Sequence, residues 1–292
     1  MNKKSHKIIN NQNKPSTTGH SWDGVEEYNT PAPRWWLTVW IICIIWAVIY
    51  WFFYPTWPIP GGNSKGSKNW TQQSQLKESQ EEIIQRREVY LKKFSKASFA
   101  EIKKDKELMA FAINGGKAAF QNNCAMCHGT GAAGQKGFPN LNDDDWLWGG
   151  KVEDIHRTIL YGIRSAHDKA RSSSMPAFGT DKILTKEEIE QVADYVLAIS
   201  THADVNGKAN GNGGEIFKNN CAACHQASAT GDRDVGAPNL TDKIWLYGGT
   251  KEDLIYTINH SRAGVMPAWT GRLDEDTIKQ LAIYIHSLGG GE

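Results

Sequence analysis

The stretch Asn122-Asn123-Cys124-Ala125-Met126-Cys127-His128 returns 97 residues later as Asn219-Asn220-Cys221-Ala222-Ala223-Cys224-His225. More of the chain repeats around it. Phe138-Pro139-Asn140-Leu141 matches Ala237-Pro238-Asn239-Leu240, and Trp146-Leu147-Trp148-Gly149-Gly150 matches Trp245-Leu246-Tyr247-Gly248-Gly249, both displaced by 99 residues. Met175-Pro176-Ala177-Phe178 matches Met266-Pro267-Ala268-Trp269 at a displacement of 91. Each copy closes with an amphipathic helix pattern. In the first, Thr185 and Glu188 form a capping box ahead of Ile189, Val192, Ala193, Val196 and Ile199; in the second, Asp274 caps Ile278, Leu281, Ala282, Ile285 and Leu288. Two tandem units follow, residues 113–201 and 207–289. Units so small and so rich in glycine build only a marginal core unaided, and a large apolar cofactor would complete it.

Cys-x-x-Cys-His is the attachment signature for c-type haem. The two thiols add to the haem vinyl groups and the adjacent imidazole reaches iron from the same helical turn. A later methionine thioether can supply the sixth ligand and raise the reduction potential. Met175 follows His128 by 47 residues and Met266 follows His225 by 41, so the spacing pairs each Met with the Cys-x-x-Cys-His of its own copy. A zinc site built from both pairs would leave the two histidines and the repeated Met-Pro unexplained, and a thiol-redox pair would leave the duplication unexplained. Two covalent haem c groups are therefore expected, on Cys124, Cys127, Cys221 and Cys224, with axial ligands His128, Met175, His225 and Met266. Met126 lies inside its own motif and is read as packing. His167, in the longer loop of the first copy, is a competitor to Met175. His156, His202, His260 and His286 are read as surface residues.

Trp35 to Tyr54 is a twenty-residue apolar run within an uncharged stretch, Trp35 to Ser64. At ~1.5 Å per residue it spans about 30 Å, the hydrocarbon thickness of a bilayer. Trp35 and Trp36 at one end and Trp51, Tyr54 and Trp57 at the other fit interfacial aromatic belts. A cleaved signal peptide fits poorly, because the run is long, starts late and leads into Pro-Thr-Trp-Pro instead of a small-residue cleavage site. Cys43 within the span is a small apolar residue. The organisation read from the chain is a segment 1–34, a single transmembrane helix 35–54, a linker and exposed helical spacer 55–112, and the two repeats. The 33 Lys and Arg against 32 Asp and Glu leave no basic excess to hold nucleic acid, and 40 % hydrophobic residues exclude a polytopic bundle.

Each repeat resembles a class I cytochrome c domain. The resemblance implies an all-α fold: the transmembrane helix plus two tandem domains, in each of which a first and a last helix cross over the haem. Gly116 and Phe120, with Gly213 and Phe217, fit the first helix and its crossing contact. It also implies that the carbonyls of Pro139 and Pro238 orient the two histidines. In bacteria, haem attachment takes place outside the cytoplasmic membrane on reduced thiols, which places residues 55–292 in the periplasm and 1–34 in the cytoplasm, and leaves no disulfide expected.

The N-terminal string Ser21-Trp22-Asp23-Gly24-Val25-Glu26-Glu27-Tyr28-Asn29-Thr30-Pro31-Ala32-Pro33-Arg34-Trp35-Trp36, leading into an anchor that ends Tyr54-Pro55-Thr56-Trp57-Pro58, resembles the membrane-anchored dihaem subunit of the cbb3-type cytochrome c oxidases, the C-family haem-copper oxidases. Thr30 and Ala32 stand where that family carries Asn and Leu. The resemblance implies an electron-transfer subunit of the bacterial inner membrane with no catalytic centre of its own. Its partners would be the monohaem and catalytic subunits, the lipid bilayer and a periplasmic cytochrome c donor. A free-standing dihaem cytochrome or dehydrogenase subunit would share the Cys-x-x-Cys-His motifs but not the Trp-Asp-Gly segment. A dihaem peroxidase would need an iron without its Met.

Overall fold

The computed structural model describes residues 16–201 and 211–292, so His202 lies outside the described residues. The chain divides into two compact units at Gln85/Arg86.

In the first unit, β1 (Thr17–Trp22) and β2 (Val25–Tyr28) form an antiparallel hairpin with Trp22 paired to Val25. Its turn is Asp23-Gly24, both at positive φ (51° and 81°), as the tightest hairpin turn demands of its two central residues. This hairpin and a smaller one, β3 (Pro58–Ile59) with β4 (Gly62–Asn63), are short additions to the expected all-α fold. Between them α1 (Arg34–Phe53) matches the expected membrane helix within one residue at each end and buries none of its side chains. Pro33 precedes its first turn, where a missing N–H costs nothing, and Tyr54 is extended (φ −119°, ψ 156°) because Pro55 follows it.

Helix α2 (Gln72–Lys96) leads into the second unit. There follow α3 (Phe99–Lys104), α4 (Lys106–Asn123), α5 (Ala125–His128), α6 (Val152–Tyr161), α7 (Lys186–Ser200), α8 (Asn212–Asn220), α9 (Ala222–His225), α10 (Lys251–His260) and α11 (Glu275–His286). The expected exposed spacer ends earlier than the sequence pattern indicates. Phe94, Ile102, Leu108 and Ala112 are buried with Ile283 of α11 in one cluster. Lys279 of α11 donates to the carbonyls of Phe94 and Ala97 at the end of α2, where orphan carbonyls and the helix dipole favour a cation. The apolar residues that do this sit on either side of two helix breaks, capped by Ser98 and Asp105, so they form no periodic stripe in sequence.

The last helices begin as expected: Thr185 and Glu188 make a complete capping box, and Asp274 accepts from the Thr277 N–H. What they pack against is a correction. The crossing of first and last helix takes place between the repeats and not within each one. Helix α4 of the first copy crosses α11 of the second, and α7 of the first crosses α8 of the second. The two crossings are equivalent in detail. Phe120 and Tyr284 rings lie 5.6 Å apart, Phe217 and Tyr195 rings 5.3 Å. A Cβ on Gly116 would fall 2.3 Å from the Gln280 carbonyl oxygen, and one on Gly213 would fall 2.4 Å from that of Gln191. Because the two faces are so alike, the apolar pattern cannot choose between partners. Chain connectivity can: α7 and α8 are consecutive, and sequential elements pack on each other at the lowest loop-closure cost, which leaves α4 and α11 to each other.

The glycine contact makes Gly116→Ala a test of the crossing. The Cβ would also meet Tyr284 Cβ at 2.6 Å, and neither partner atom can swing aside. Thermal unfolding should show a loss of about 1–3 kcal/mol, the usual cost of overpacking, while Lys117→Ala on the exposed face changes little. Equal stability of the two variants would mean the helices do not cross at Gly116.

Candidate functional site

Helices α5 and α9 are single turns set by the Cys-x-x-Cys-His spacing. The amides of Cys127 and His128 both donate to the Cys124 carbonyl (3.1 and 3.0 Å), and those of Cys224 and His225 to the Cys221 carbonyl at the same distances. One turn thereby presents two thiols and an imidazole together. Burial, with the neighbouring cysteine adding to it, pushes the Cys124 and Cys221 thiols up to about 11, so both are neutral near pH 7.

His128 Nδ1 lies 3.1 Å from the Pro139 carbonyl oxygen and His225 Nδ1 lies 3.0 Å from that of Pro238. A carbonyl only accepts, so each Nδ1 carries the proton and each Nε2 lone pair is left free to bind a metal. Burial holds both imidazoles below the usual histidine range, against a smaller opposing effect of the carbonyl. Both are therefore neutral near pH 7, the form that ligates.

His128 opens into a partly enclosed, predominantly apolar cavity. Its walls are Phe120, Cys124, Pro139, Leu141, Trp146, Trp148, Ile155, Ile159, Ile285 and Met266. Asp145 is the charged group in the lining, and burial together with the charges of Asp242 and Asp143 pushes its carboxyl up to about 6. The fit to haem c is chemical: the Cys124 thiol, a free imidazole nitrogen, apolar walls and a thioether share a single cavity, with Cys127 on the same helical turn as Cys124.

The thioether comes from the other repeat. Met266, and not Met175, shares the cavity with His128, and its backbone pairs both ways with Ile163 at 3.0 Å, just beyond the end of α6. Trp269 and Thr270 extend this seam by donating to the carbonyls of Ile159 and Leu160. Reciprocally, Met175 packs with Cys221, Leu240 and Trp245 against the core of α7, α8 and α10. There Phe178 donates to the Ile258 carbonyl at 3.1 Å, and the Ser261 hydroxyl donates to that of Met175. The expectation from spacing, Met175 with His128 and Met266 with His225, is thus reversed in space. The reason is the helix exchange, because each Met-Pro loop travels with the last helix that follows it.

His167 does not lie among the lining residues; it packs against the Tyr161 ring at 4.9 Å, beside Asp168. Of the histidines read as surface, His260 is exposed, while His156 is half-buried against Phe99 and His286 is half-buried near the C-terminus. Met126 is 90 % exposed, so it packs against nothing, contrary to its expected role. Sequence reading also passed over a pair of arginines. Arg171 donates to Thr158 Oγ1 (2.9 Å) and Asp154 Oδ1 (3.0 Å), and Arg262 donates to Thr257 Oγ1 (2.9 Å) and the Asp253 carbonyl (2.7 Å). Their repeat spacing, 91 residues for the arginines and 99 for their partners, is the signal that could have found them.

The sequence profile of the family described as cytochrome C oxidase, cbb3-type, subunit III matches residues 111–196 and 208–285. The chain belongs to this family. The profile of the N-terminal domain of cytochrome oxidase-cbb3, FixP, matches residues 14–60, which cover the Asp23-Gly24 hairpin and the membrane helix. A Bradyrhizobium sp. (strain ORS 278) protein named cbb3-type cytochrome c oxidase subunit FixP is 50 % identical over 98 % of this chain and 99 % of its own length. The FixP subunit of Bradyrhizobium diazoefficiens is 48 % identical over 95 % of this chain and 96 % of its own, and the CcoP subunit of Cereibacter sphaeroides 46 % over the same shares. As a member of the cbb3-type subunit III family, the chain is a membrane-anchored, haem c-binding electron-transfer subunit of an oxidoreductase complex.

Proposed function

We propose that this subunit holds two covalent haem c groups and relays electrons one at a time from a periplasmic cytochrome c, through both sites, to the monohaem and catalytic subunits of a proton-pumping oxidase. Cys124 and Cys127 would tether the first haem, and His128 and Met266 would hold its iron. Cys221 and Cys224 would tether the second, with His225 and Met175 holding its iron. When bound, haem iron supplies reversible one-electron chemistry between the ferrous and ferric states.

The residues do the rest. Pro139 and Pro238 fix the tautomer and ring orientation of the two histidines. Met ligation raises the potential, and the apolar walls exclude water from the iron. With a His and a Met each donating to it, neither iron would keep a position for substrate, which supports an electron carrier over an enzyme with its own catalytic centre. The observation that carries this reading is the one cavity shared by Cys124, a Pro-oriented His128 and Met266. A dihaem peroxidase needs the opposite, a vacant or displaceable ligand position. Covalent attachment outside the cytoplasmic membrane supports an inner-membrane location, with the repeats in the periplasm, 1–34 in the cytoplasm, and α1 anchoring the chain in the lipid bilayer.

Purification of the tagged chain in mild detergent tests the whole reading. Two c haems per chain should co-elute with haem b spectra and cyanide-sensitive oxygen uptake. A dihaem protein eluting alone, with no uptake, would instead mark a free-standing membrane cytochrome.

A further inference from the structure

The repeated Trp146-Leu147-Trp148 and Trp245-Leu246-Tyr247 segments place one aromatic each, Trp148 and Tyr247, between the two sites. Trp148 is 7 % exposed and lines the cavity that holds His128 and Met266. Its far edge abuts the second site's loop at Gly236, where a Cβ would fall 2.3 Å from ring atoms Cε2 and Cζ2. Only glycine, here at φ +64°, lets the backbone come this close. Gly236 stands two residues before Pro238, whose carbonyl orients His225. Packed matter therefore runs without a gap from the first cavity, through the indole, to the support of the second histidine. Tyr247 reciprocates more loosely: its Cε1 lies 3.7 Å from a Cβ position on Gly137, two residues before Pro139, and the Gly137 amide donates to the Leu246 carbonyl at 2.7 Å.

Both aromatics are clamped. The Arg171 guanidinium lies 5.5 Å over the Trp148 ring and is itself 9 % exposed, held by Thr158 and Asp154. Arg262 lies 4.9 Å over the Tyr247 ring. Two buried or half-buried arginines spent on orienting interface aromatics is more than space-filling requires.

We propose that Trp148 is the bridging side chain for electron transfer between the two sites, that Arg171 is its positioning residue, and that Tyr247 with Arg262 forms the weaker counterpart. This rests on the reading above that both sites hold haem. The step moves one electron from ferrous iron at one site to ferric iron at the other. No bond forms or breaks and no proton moves. Tunnelling favours this route because it crosses bonded and closely packed atoms, with an aromatic π-system in place of solvent.

The test uses the full chain in detergent: c-haem content, a redox titration resolving both potentials, and flash photoreduction of one equivalent to follow the intramolecular phase. Trp148→Leu should retain two c haems and lose the fast intramolecular phase, and Trp148→Phe, which keeps a ring, should restore most of it. An unchanged fast phase in Trp148→Leu would overturn the proposal. Should Trp148→Leu fail to take up haem, Arg171→Lys decides, since it loosens the indole without emptying its place. A slowed phase at unchanged potentials supports the bridge, and an unchanged phase overturns it. Wild-type chain carrying one c haem or none would refute the two-site reading itself, a result separate from either outcome at Trp148.

Discussion

Met266→His should lower the potential of the haem tethered by Cys124 and Cys127 and leave that on Cys221 and Cys224 nearly unmoved. Imidazole is a harder donor than thioether and favours ferric iron, and axial ligands command a span of ~0.8 V, so the shift should be a substantial share of that span. The assignment is made cleanly in a chain with Cys221 and Cys224 both replaced by Ala, which retains only the first attachment site. In that background Met266→His should lower the potential, whereas Met175→His should not. The reverse pattern would restore the pairing that linear spacing implies and would contradict the cavity in which Met266 faces His128.

A comparably large effect should follow from separating the repeats. Residues 86–201 alone carry Cys124, Cys127 and His128 but lack Met266 and α11. In the intact chain Ile278, Leu281, Tyr284 and Ile285 of α11 are at most 9 % exposed. Losing four such burials removes roughly 6–12 kcal/mol at about 1.5–3 kcal/mol each, as much as the whole stability of many domains. The lone fragment should be unstable, and any haem it takes up should lack the low-spin His/Met spectrum. Producing residues 86–201 and 207–292 together should recover both stability and spectrum. A lone fragment with a complete His/Met signature would show that each repeat can close on itself.

Local structure was open to sequence reading wherever one segment carries its own instruction. The Cys-x-x-Cys-His turns, the capping box at Thr185, the Asp274 cap and the membrane helix all depend on residues within a few positions of each other, and each lies where the pattern puts it. The carbonyl support at Pro139 and Pro238 followed from family resemblance and lies within hydrogen-bonding reach of both histidines. The docked end of the spacer was harder to see, because Phe94, Ile102 and Leu108 are separated by two helix breaks and share no period.

By itself, then, the sequence determined the long apolar N-terminal helix, the two Cys-x-x-Cys-His turns and the helix caps, because each of these is encoded in residue type and local spacing. Which methionine faces which histidine was decided only by the tertiary structure. The Gly116/Phe120 and Gly213/Phe217 faces accept either last helix on nearly equal terms, so no linear pattern distinguishes the two pairings. Packing the consecutive helices α7 and α8 together settles the choice, and Met175 and Met266 are carried across with the helices they precede.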